Sequence, residues 1–465
     1  MNAINTALAL PIAIIGAGPV GLAAAAQLLA RGLKVKLYEA GDDIADHVRD
    51  WGHVRLFSPW SYNIDTAARA LLEPTGWTAP SLQVHPTGAE LYAQYLKPLA
   101  ATPAISAVLE TGARITAVSR QGFDKMKTAG REAAPFLLSI RKRDGSARQD
   151  LARAVIDCSG TWSQPNPIGS SGLAVPGERE AAARIAYGIP DVLGRDVDTY
   201  VGKRVLVLGA GHSAANVLLD LAKLKGRAPT TEIVWAVRGG SLARLFGGGS
   251  NDKLAARGAL GRSLETEVKA GGVDLHMNST VTKIGGGTAL QVTLQQPGGA
   301  AESITVDRII VATGQRPALD MLREIRLDLD PATESPRVLA PLIDPNLHSC
   351  GTVRPHGHRE LAQPDPGFYI AGIKSYGRAP TFLLATGYEQ VRSIAAALAG
   401  DMVAADDVQL DLPETGVCSS NLATAGDGKS CGTPKLRVAV TAATEKSCCT
   451  PKPHFAGTEA AKDCC

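Results

Sequence analysis

A glycine-rich turn near the N-terminus has the residue types and the spacing that bind a dinucleotide. Gly16, Gly18 and Gly21 follow the apolar run Ile12–Ile15 and precede a stretch rich in alanine and leucine. The first glycine permits the sharp turn, the second lets the backbone approach a pyrophosphate, and the third lets helix and strand pack closely. Glu39 ends the next strand, where a carboxylate binds ribose hydroxyls. The alternative is an ordinary βαβ unit that binds no ligand.

A second glycine turn follows later in the chain. Gly209 and Gly211 come after the apolar strand Arg204–Leu208, and Ala214 stands at the third position, where the fingerprint accepts alanine. The strand that follows this turn ends at Arg238 and not at an acid. Because a guanidinium binds a 2′-phosphate that a carboxylate would repel, the sequence favours NADPH over NADH. A solvated surface arginine is the alternative interpretation of Arg238.

Two further segments hold weaker candidates for chemistry. Residues 51–63 are dense in aromatic side chains, including Trp60, which suits packing against a flat ring system. Burial of these aromatics in a core is the alternative. Residues 348–358 bring Cys350 and His356, a nucleophile and a base, onto one predicted loop, and an ordinary exposed loop is the alternative there. The candidate catalytic residues are therefore Trp60, Cys350 and His356.

The eight cysteines are unevenly placed, because six of them lie after residue 417. Cys448 with Cys449 and Cys464 with Cys465 form vicinal pairs, and adjacent thiolates suit soft ions such as trivalent arsenic, mercury, copper(I) or zinc. These four residues are the predicted metalloid ligands. Adventitious zinc binding, a disulfide or no function are the alternatives. Cys158, at a predicted strand end, is expected to be a small buried apolar residue.

The order of the predicted elements indicates an α/β fold with two nested Rossmann-like dinucleotide-binding domains. Strands at Ala154–Cys158 and Gly367–Gly372 return the chain to the first sheet, and a strand at Asp307–Ala312 closes the second. The polar, Cys-rich C-terminal segment has too little apolar surface to fold alone, so we expect a disordered tail. The predicted boundaries are 1–165 with 318–400 for the first domain, 166–317 for the inserted second domain, and 401–465 for the tail.

Composition excludes several classes of function. The net charge is +3, from 48 basic and 45 acidic residues interspersed along the chain. This balance gives no indication of nucleic-acid or membrane-surface binding. We find no apolar run long enough to cross a bilayer, and the glycine turn interrupts the apolar N-terminus that resembles a signal peptide. A cytoplasmic enzyme is expected, with a homodimer left open as its oligomeric state.

The two glycine turns, Glu39, Arg238 and the strand ends CSGTW and VATGQ together resemble the two-dinucleotide-binding-domain flavoproteins. That superfamily includes thioredoxin and glutathione reductases, flavin-containing monooxygenases and Baeyer–Villiger monooxygenases. The resemblance covers about residues 10 to 400 and implies FAD in the first domain and NADPH in the second. The predicted cofactor contacts are Gly16, Gly18, Pro19, Gly21, Glu39, Ser58, Trp60, Gly160, Gly372, Gly209, Gly211, His212, Ser213, Ala214, Arg238 and Gly314.

Several departures from the superfamily bear on the reaction. The body of the chain lacks the two neighbouring redox cysteines of the disulfide reductases, and Ile373-Lys374-Ser375 follows Gly372 where those enzymes usually carry an aspartate. The linker motif of the monooxygenases is also missing, since residues 186–190 read AYGIP. The chain is most similar to monooxygenase-like flavoproteins associated with bacterial arsenic detoxification. The segments that carry this resemblance are CSGTWSQPNP, VLGAGHSAANVLLDLA and the Cys-rich tail.

These patterns predict an NADPH-dependent FAD oxidoreductase. Without a local dithiol, the reduced flavin is expected to pass its electrons to dioxygen or to a small substrate. The favoured hypothesis is a flavin monooxygenase that oxidises a small soft substrate such as trivalent arsenic or an organoarsenical. Two alternatives stay open. One is a dithiol-handling thioredoxin-reductase-like or metal(loid) reductase that uses tail cysteines or Cys350, and the other is a metalloid-binding flavoprotein with little turnover.

Overall fold

The computed structural model of the protein describes most of the chain before residue 411. The described residues are 9–246, 255–346, 353–379 and 382–410. The chain divides into two compact parts, Met1–Ser420 and Asn421–Cys465, and every described residue lies in the first part. Most of the predicted tail therefore lies outside the described residues.

Strands and helices alternate along the described part of the chain. The strands, numbered in chain order, are β1 (Ile12–Ile15), β2 (Val35–Tyr38), β3 (Leu109–Glu110), β4 (Ala113–Arg120), β5 (Phe136–Lys142), β6 (Ala147–Ala152), β7 (Ala154–Asp157), β8 (Ile185–Tyr187), β9 (Arg204–Leu208), β10 (Glu232–Ala236), β11 (Asp274–His276), β12 (Thr280–Gly285), β13 (Leu290–Gln295), β14 (Ala301–Val306), β15 (Arg308–Val311) and β16 (Phe368–Ile370). The α-helices are Pro19–Leu29, Asp46–Asp50, Thr66–Leu72, Gly88–Leu91, Lys97–Ala101, Pro103–Ser106, Val197–Tyr200, His212–Arg227, Ala243–Phe246, Ala255–Lys269, Ala340–Ile343, His358–Leu361, Leu384–Leu398 and Met402–Asp406.

A parallel sheet with β1 at its centre organises the first nucleotide-binding unit. The order across the sheet is β16-β7-β1-β2-β3. All of β1 is buried, as expected for an apolar strand whose sheet is covered on both faces. Ile15 of β1 pairs with Tyr38 of β2 and with Asp157 of β7, and Asp157 also pairs with Ile370 of β16. The carboxyl ends of these strands therefore meet at one edge of the sheet, where the first glycine turn begins.

A second parallel sheet has the order β11-β10-β9-β15-β8. Leu208 of β9 pairs with Ala236 of β10 and with Val311 of β15. The second glycine turn and the segment after β15 therefore lie at the same sheet edge. All strands of this sheet lie in sequence between β7 and β16. The second nucleotide-binding unit, which contains this sheet, is therefore inserted into the first.

Two antiparallel three-stranded sheets, β4-β5-β6 and β12-β13-β14, accompany the parallel ones. In the first, a turn at Asp144-Gly145 joins β5 to β6, as the alternating sequence on either side of it predicts, and Gly145 has a positive φ of 85° there. No comparable pattern predicts the second sheet.

The helix Pro19–Leu29 is buried on all sides, because every residue from Val20 to Leu28 is inaccessible. A helix that is apolar all round belongs in a core. Its alanine run shares that core with Val391, Ile394 and Ala395 of the helix Leu384–Leu398. The small alanine side chains allow the two helices to pack closely, which fixes the glycine turn at the N-terminus of the first helix.

The sequence from His85 to Ala100 predicts one helix, and the structure interrupts it. It begins at Gly88 and passes through a π-helical segment, Tyr92–Leu96, before Lys97–Ala101. Pro98 has no N–H to donate to the carbonyl of Gln94. The Trp77 indole donates to that carbonyl at 2.8 Å and so satisfies it.

The predicted α/β class with Rossmann-like nucleotide-binding sheets is confirmed. The exact domain boundaries remain predictions. Residues 401–410, which we assigned to the tail, contain the helix Met402–Asp406. None of the helices in the described ranges is both long and apolar enough to span a membrane.

Candidate active site

The first glycine turn has the geometry that a pyrophosphate requires. Gly16 has a φ of +96°, and a Cβ on Gly21 would lie 1.8 Å from the Gly16 carbonyl oxygen, so both positions exclude larger residues. A Cβ on Gly18, in contrast, meets no atom within 4 Å. Gly18 therefore faces open space at the start of the helix Pro19–Leu29. This is the position where the fingerprint brings the backbone against a dinucleotide phosphate.

The N-terminus of that helix is available to an anion. Gly18 is the N-cap, no side chain caps the helix, and Pro19 occupies its first turn. Free N–H groups and the positive end of the helix dipole favour a phosphate there. Glu39 lies beside the turn, because its carboxylate accepts hydrogen bonds from Ala17 N at 2.7 Å and Gly41 N at 2.8 Å. A carboxylate held at this place is suited to ribose hydroxyls.

Two more turns adjoin the first glycine turn at the same sheet edge. Gly160, after β7, and Gly372, after β16, have φ values of +72° and +70°. A Cβ on Gly372 would lie 3.4 Å from the side chain of Val20, in the first turn of the helix Pro19–Leu29. A Cβ on Gly16 would lie 3.0 Å from Ser159 Cα. The predicted FAD contacts Gly16, Gly160 and Gly372 thus come together in space.

A buried ion pair joins the two later turns. Lys374 Nζ lies 2.6 Å from Asp157 Oδ2 and 3.0 Å from Ser159 Oγ, and the Lys374 and Asp157 side chains are fully buried. Ser159 donates in turn from its backbone N and its Oγ to Asp157 Oδ1. The sequence marked Lys374 as a departure from the superfamily but did not predict its partner. The pair fixes the end of β7 against the segment that follows β16.

The second glycine turn repeats the geometry of the first. Gly209 has a φ of +128°, and a Cβ there would lie 2.3 Å from the Ala312 carbonyl oxygen. Gly211 is the N-cap of the helix His212–Arg227, and a Cβ on Gly211 meets nothing within 4 Å. Ala214 is fully buried, which suits its role at the helix–strand contact. The Trp235 indole donates to the Gly209 carbonyl at 2.8 Å and holds the turn in place.

Arg238 lies at the carboxyl end of β10, beside this turn, and is exposed. Its Nη1 donates to the Ser170 carbonyl at 3.2 Å. The guanidinium keeps further N–H groups, since it carries five donors. Its position is therefore compatible with binding a 2′-phosphate.

One cavity of about 930 Å³ connects the second glycine turn to the first unit. From the second unit it is lined by Gly209, Gly211, His212, Ser213, Arg238 and Gly314. From the first unit it is lined by Phe57, Thr161, Ile373 and Phe382. The described lining residues include the guanidinium groups of Arg238, Arg316 and Arg378 and no carboxylate. Arg378 is paired with Glu334, so the positive charge that favours an anionic ligand comes from Arg238 and Arg316.

The structure separates the aromatic candidates of residues 51–63. Phe57 lines the cavity, and its ring meets the His212 ring edge-on at a centroid distance of 5.3 Å. Trp60 is only 2 % exposed and belongs to the core cluster, and Ser58 is 4 % exposed and donates to Asn63 Oδ1. Neither Trp60 nor Ser58 lines the cavity. Trp60 therefore lies in the core, whereas Phe57 stays a candidate for contact with a ligand.

His356 is buried in a hydrogen-bond network behind Gly372. Its Nδ1 lies 3.0 Å from the Arg354 carbonyl, and its Nε2 lies 2.9 Å from Gln390 Nε2. Gln390 Oε1 accepts from the Gly372 N–H at 2.8 Å. Burial lowers the pKa of His356, so the ring is neutral at pH 7, with the proton on Nδ1 and with Nε2 accepting from Gln390. In this position His356 supports the Gly372 turn.

Among the described residues, the one cysteine is Cys158. Burial, together with the charge of Asp157, raises the pKa of its thiol well above the usual range. It therefore stays protonated and is a poor nucleophile. The catalytic candidate Cys350 and the metalloid candidates Cys448, Cys449, Cys464 and Cys465 lie outside the described residues.

Comparison with known families identifies the chain. Residues 11–398 match the model of the FAD dependent oxidoreductase family. The protein belongs to that family. The open space at Gly18, the uncapped helix and the placement of Glu39 fit the cofactor that defines it. Among the curated proteins, no relative matches the sequence.

Solved structures share the fold of this FAD dependent oxidoreductase at low sequence identity. A bacillithiol disulfide reductase from Bacillus cereus matches with a TM-score of 0.62 at 20 % identity, covering 84 % of this chain and 99 % of its own. The FAD-bound cadaverine monooxygenase of desferrioxamine biosynthesis from Erwinia amylovora has a TM-score of 0.58 at 14 % identity, covering 88 % and 99 %. A flavin-containing monooxygenase from Stenotrophomonas maltophilia has a TM-score of 0.52 at 21 % identity, covering 84 % and 98 %. At these identities the likeness shows the fold alone.

Proposed function

We propose that NADPH is the reductant of this FAD-dependent oxidoreductase. The observation that carries the proposal is the cavity that joins the second glycine turn to the first unit. Gly211 and the N-terminus of the helix His212–Arg227 suit the pyrophosphate, and Arg238 suits the 2′-phosphate. Ile373 and Phe382 bring the first unit to the other side of the same cavity. A dinucleotide bound there can extend from the second unit towards the first.

We propose further that the enzyme is a flavin monooxygenase. When bound, FAD accepts a hydride from NADPH and passes electrons to dioxygen, and the protein positions it and limits its contact with water. The residues that would hold FAD are Gly16, Gly18, Gly21 and Glu39, with the turns at Gly160 and Gly372 beside them. Within the described residues no dithiol lies at this edge of the sheet, since Cys158 stands alone and protonated. This favours dioxygen over an internal disulfide as the electron acceptor.

The proposed substrate is a small soft compound such as trivalent arsenic or an organoarsenical. The vicinal cysteine pairs of the C-terminal sequence support this choice, because adjacent thiolates bind soft metalloids. The resemblance of the strand-end motifs to arsenic-associated monooxygenase-like flavoproteins points the same way.

Oxygen uptake tests the proposal. The purified holoenzyme is given NADPH in an oxygen electrode, first alone and then with arsenite or a trivalent organoarsenical. A monooxygenase consumes oxygen in step with the oxidised arsenical, which is quantified separately. Oxygen consumption that is matched only by hydrogen peroxide, at every substrate tested, would show an oxidase and reject the proposal.

A dithiol-handling reductase is the second candidate. The vicinal cysteine pairs and the fold likeness to a bacillithiol disulfide reductase favour it. Such an enzyme would oxidise NADPH anaerobically in the presence of a disulfide or a metal(loid) ion. Rapid anaerobic turnover, with no added arsenical oxidised in air, would favour this candidate. FAD binding and arsenical binding without turnover in either assay would favour a metalloid-binding flavoprotein.

A further inference from the structure

A phenylalanine lies where the two predicted nucleotide sites approach each other. Phe382 lines the cavity of the second glycine turn from the side of the first unit. A Cβ on Gly387 would lie 2.8 Å from Phe382 Cζ and 2.6 Å from Val20 Cγ2. The ring therefore packs beside the first turn of the helix Pro19–Leu29, next to the predicted FAD pyrophosphate site. Phe382 is thus part of the wall between the two sites.

Neighbouring rings hold Phe382 in one orientation. The Tyr376 ring meets it edge-on, at a centroid distance of 5.2 Å and an interplanar angle of 79°. His356 packs behind Tyr376 at a centroid distance of 5.7 Å, and the Arg354 carbonyl and Gln390 fix its imidazole. Tyr376 and His356 are both buried, whereas Phe382 is only partly buried. The exposed part of a ring supported from behind in this way is free to contact a ligand.

We propose that Phe382 contacts the flavin end of bound FAD and shields it from solvent in the cavity. Aromatic side chains bury a large apolar area in a rigid shape, which suits them to exclude water from a reacting ring system. Shielding of the flavin favours oxygenation of a substrate over release of peroxide. This consequence rests on the proposed monooxygenase function, whereas the contact between Phe382 and FAD does not. The proposal gives Phe382 the role that the sequence analysis assigned to Trp60.

Iodide quenching of the fluorescence of bound FAD tests the contact without turnover. Phe382→Ala is compared with Phe382→Leu and with the wild-type holoenzyme, in the absence of NADPH. Phe123→Ala is the matched control, because Phe123 is a partly buried phenylalanine that does not line the cavity. We expect the iodide quenching constant to rise several-fold in Phe382→Ala, to rise less in Phe382→Leu and to stay unchanged in Phe123→Ala. An unchanged constant in Phe382→Ala with full FAD content would overturn the proposal.

A second readout separates this proposal from the proposed function. The ratio of peroxide formed to NADPH consumed, with saturating substrate, is expected to rise in Phe382→Ala and to remain low in Phe123→Ala. If no substrate supports oxygenation, the monooxygenase proposal fails while the iodide measurement still tests Phe382. If Phe382→Ala loses FAD but Phe382→Leu retains it with raised quenching, the contact is supported. If both variants bind FAD and their iodide quenching constants equal that of the wild type, the contact is rejected.

Discussion

At the scale of single residues, the glycines of the first turn tolerate different changes. A side chain on Gly21 would collide with the Gly16 carbonyl, since its Cβ would lie only 1.8 Å from that oxygen. A side chain on Gly18 meets no protein atom within 4 Å and points into open space. Folding therefore requires glycine at position 21, whereas at position 18 only a bound ligand would require it.

This difference predicts the behaviour of Gly18→Val. The variant is expected to fold with wild-type stability but to purify without FAD, because the valine occupies the space that the pyrophosphate needs. FAD content follows from the absorbance of the purified protein, and folding follows from far-UV circular dichroism and urea unfolding. Gly21→Val is the control and is expected to lose stability. Stoichiometric FAD in Gly18→Val would contradict the assignment of the first turn.

Arg238 carries the prediction about nicotinamide preference. Arg238→Ala is expected to weaken NADPH relative to NADH by about 1.5–3 kcal/mol, or roughly ten- to a hundred-fold, through loss of a charged hydrogen bond to the 2′-phosphate. The rates of flavin reduction by the two nucleotides measure this preference. Arg195→Ala is the control, because Arg195 is an exposed arginine of the same unit that is paired with Asp196. An unchanged preference would show that other residues hold the 2′-phosphate.

At the scale of elements, the sequence predicts each strand, turn and helix better than it predicts which elements contact each other. The strand, glycine turn and helix at β1 and β9 follow from a few adjacent residues, and the structure has them where they are expected. The pairing of Asp157 with Lys374 spans 217 positions, so no local pattern reveals it. The aromatic residues of 51–63 likewise could not be told apart from the sequence, whereas in the structure Phe57 faces the cavity and Trp60 faces the core.

The buried pair gives a prediction about the elements it joins. Lys374→Met is expected to lower the free energy of unfolding by about 3–5 kcal/mol, because it leaves Asp157 buried without its counter-charge. The double variant Asp157→Asn with Lys374→Met is expected to lose less than the sum of the single variants. Urea unfolding of each protein measures these differences. Asp328→Asn is the control, since its partnership with Arg337 is exposed and is expected to contribute less than about 1 kcal/mol. If Lys374→Met lowers the free energy of unfolding no more than the control does, the ion pair does not stabilise the contact between the end of β7 and the segment after β16.

At the scale of the whole molecule, the segment after the helix Leu384–Leu398 is anchored to the body. Arg359 holds the Asp406 carboxylate through Nε and Nη2, and His358 Nε2 lies 2.9 Å from it. Arg392, which is buried, donates to the Ala404 carbonyl at 2.7 Å and also to the Asp407 carbonyl. These contacts make residues 401–410 part of the folded body.

Two truncations follow from this anchor. Deletion of everything after Gly416 is expected to leave folding, FAD content and reduction by NADPH intact, because it keeps every contact of residues 401–410. Deletion of everything after Ala399 is expected to destabilise the protein, since it strips Arg392 of its carbonyl partners and uncovers the buried His358. Thermal unfolding and the visible spectrum of FAD compare the two proteins.

The shorter deletion also tests whether the C-terminal cysteines deliver substrate. If the vicinal pairs capture a trivalent arsenical and pass it to the active site, their loss reduces the effective concentration of substrate there. Turnover by the protein truncated after Gly416 is then expected to fall at low arsenical concentration and to approach that of the full chain at high concentration. The assay needs reducing conditions, because only thiolates bind the metalloid. Equal turnover by both proteins at every concentration would exclude delivery. Loss of NADPH-dependent flavin reduction would instead indicate that the C-terminal cysteines act at the active site, as a dithiol reductase requires.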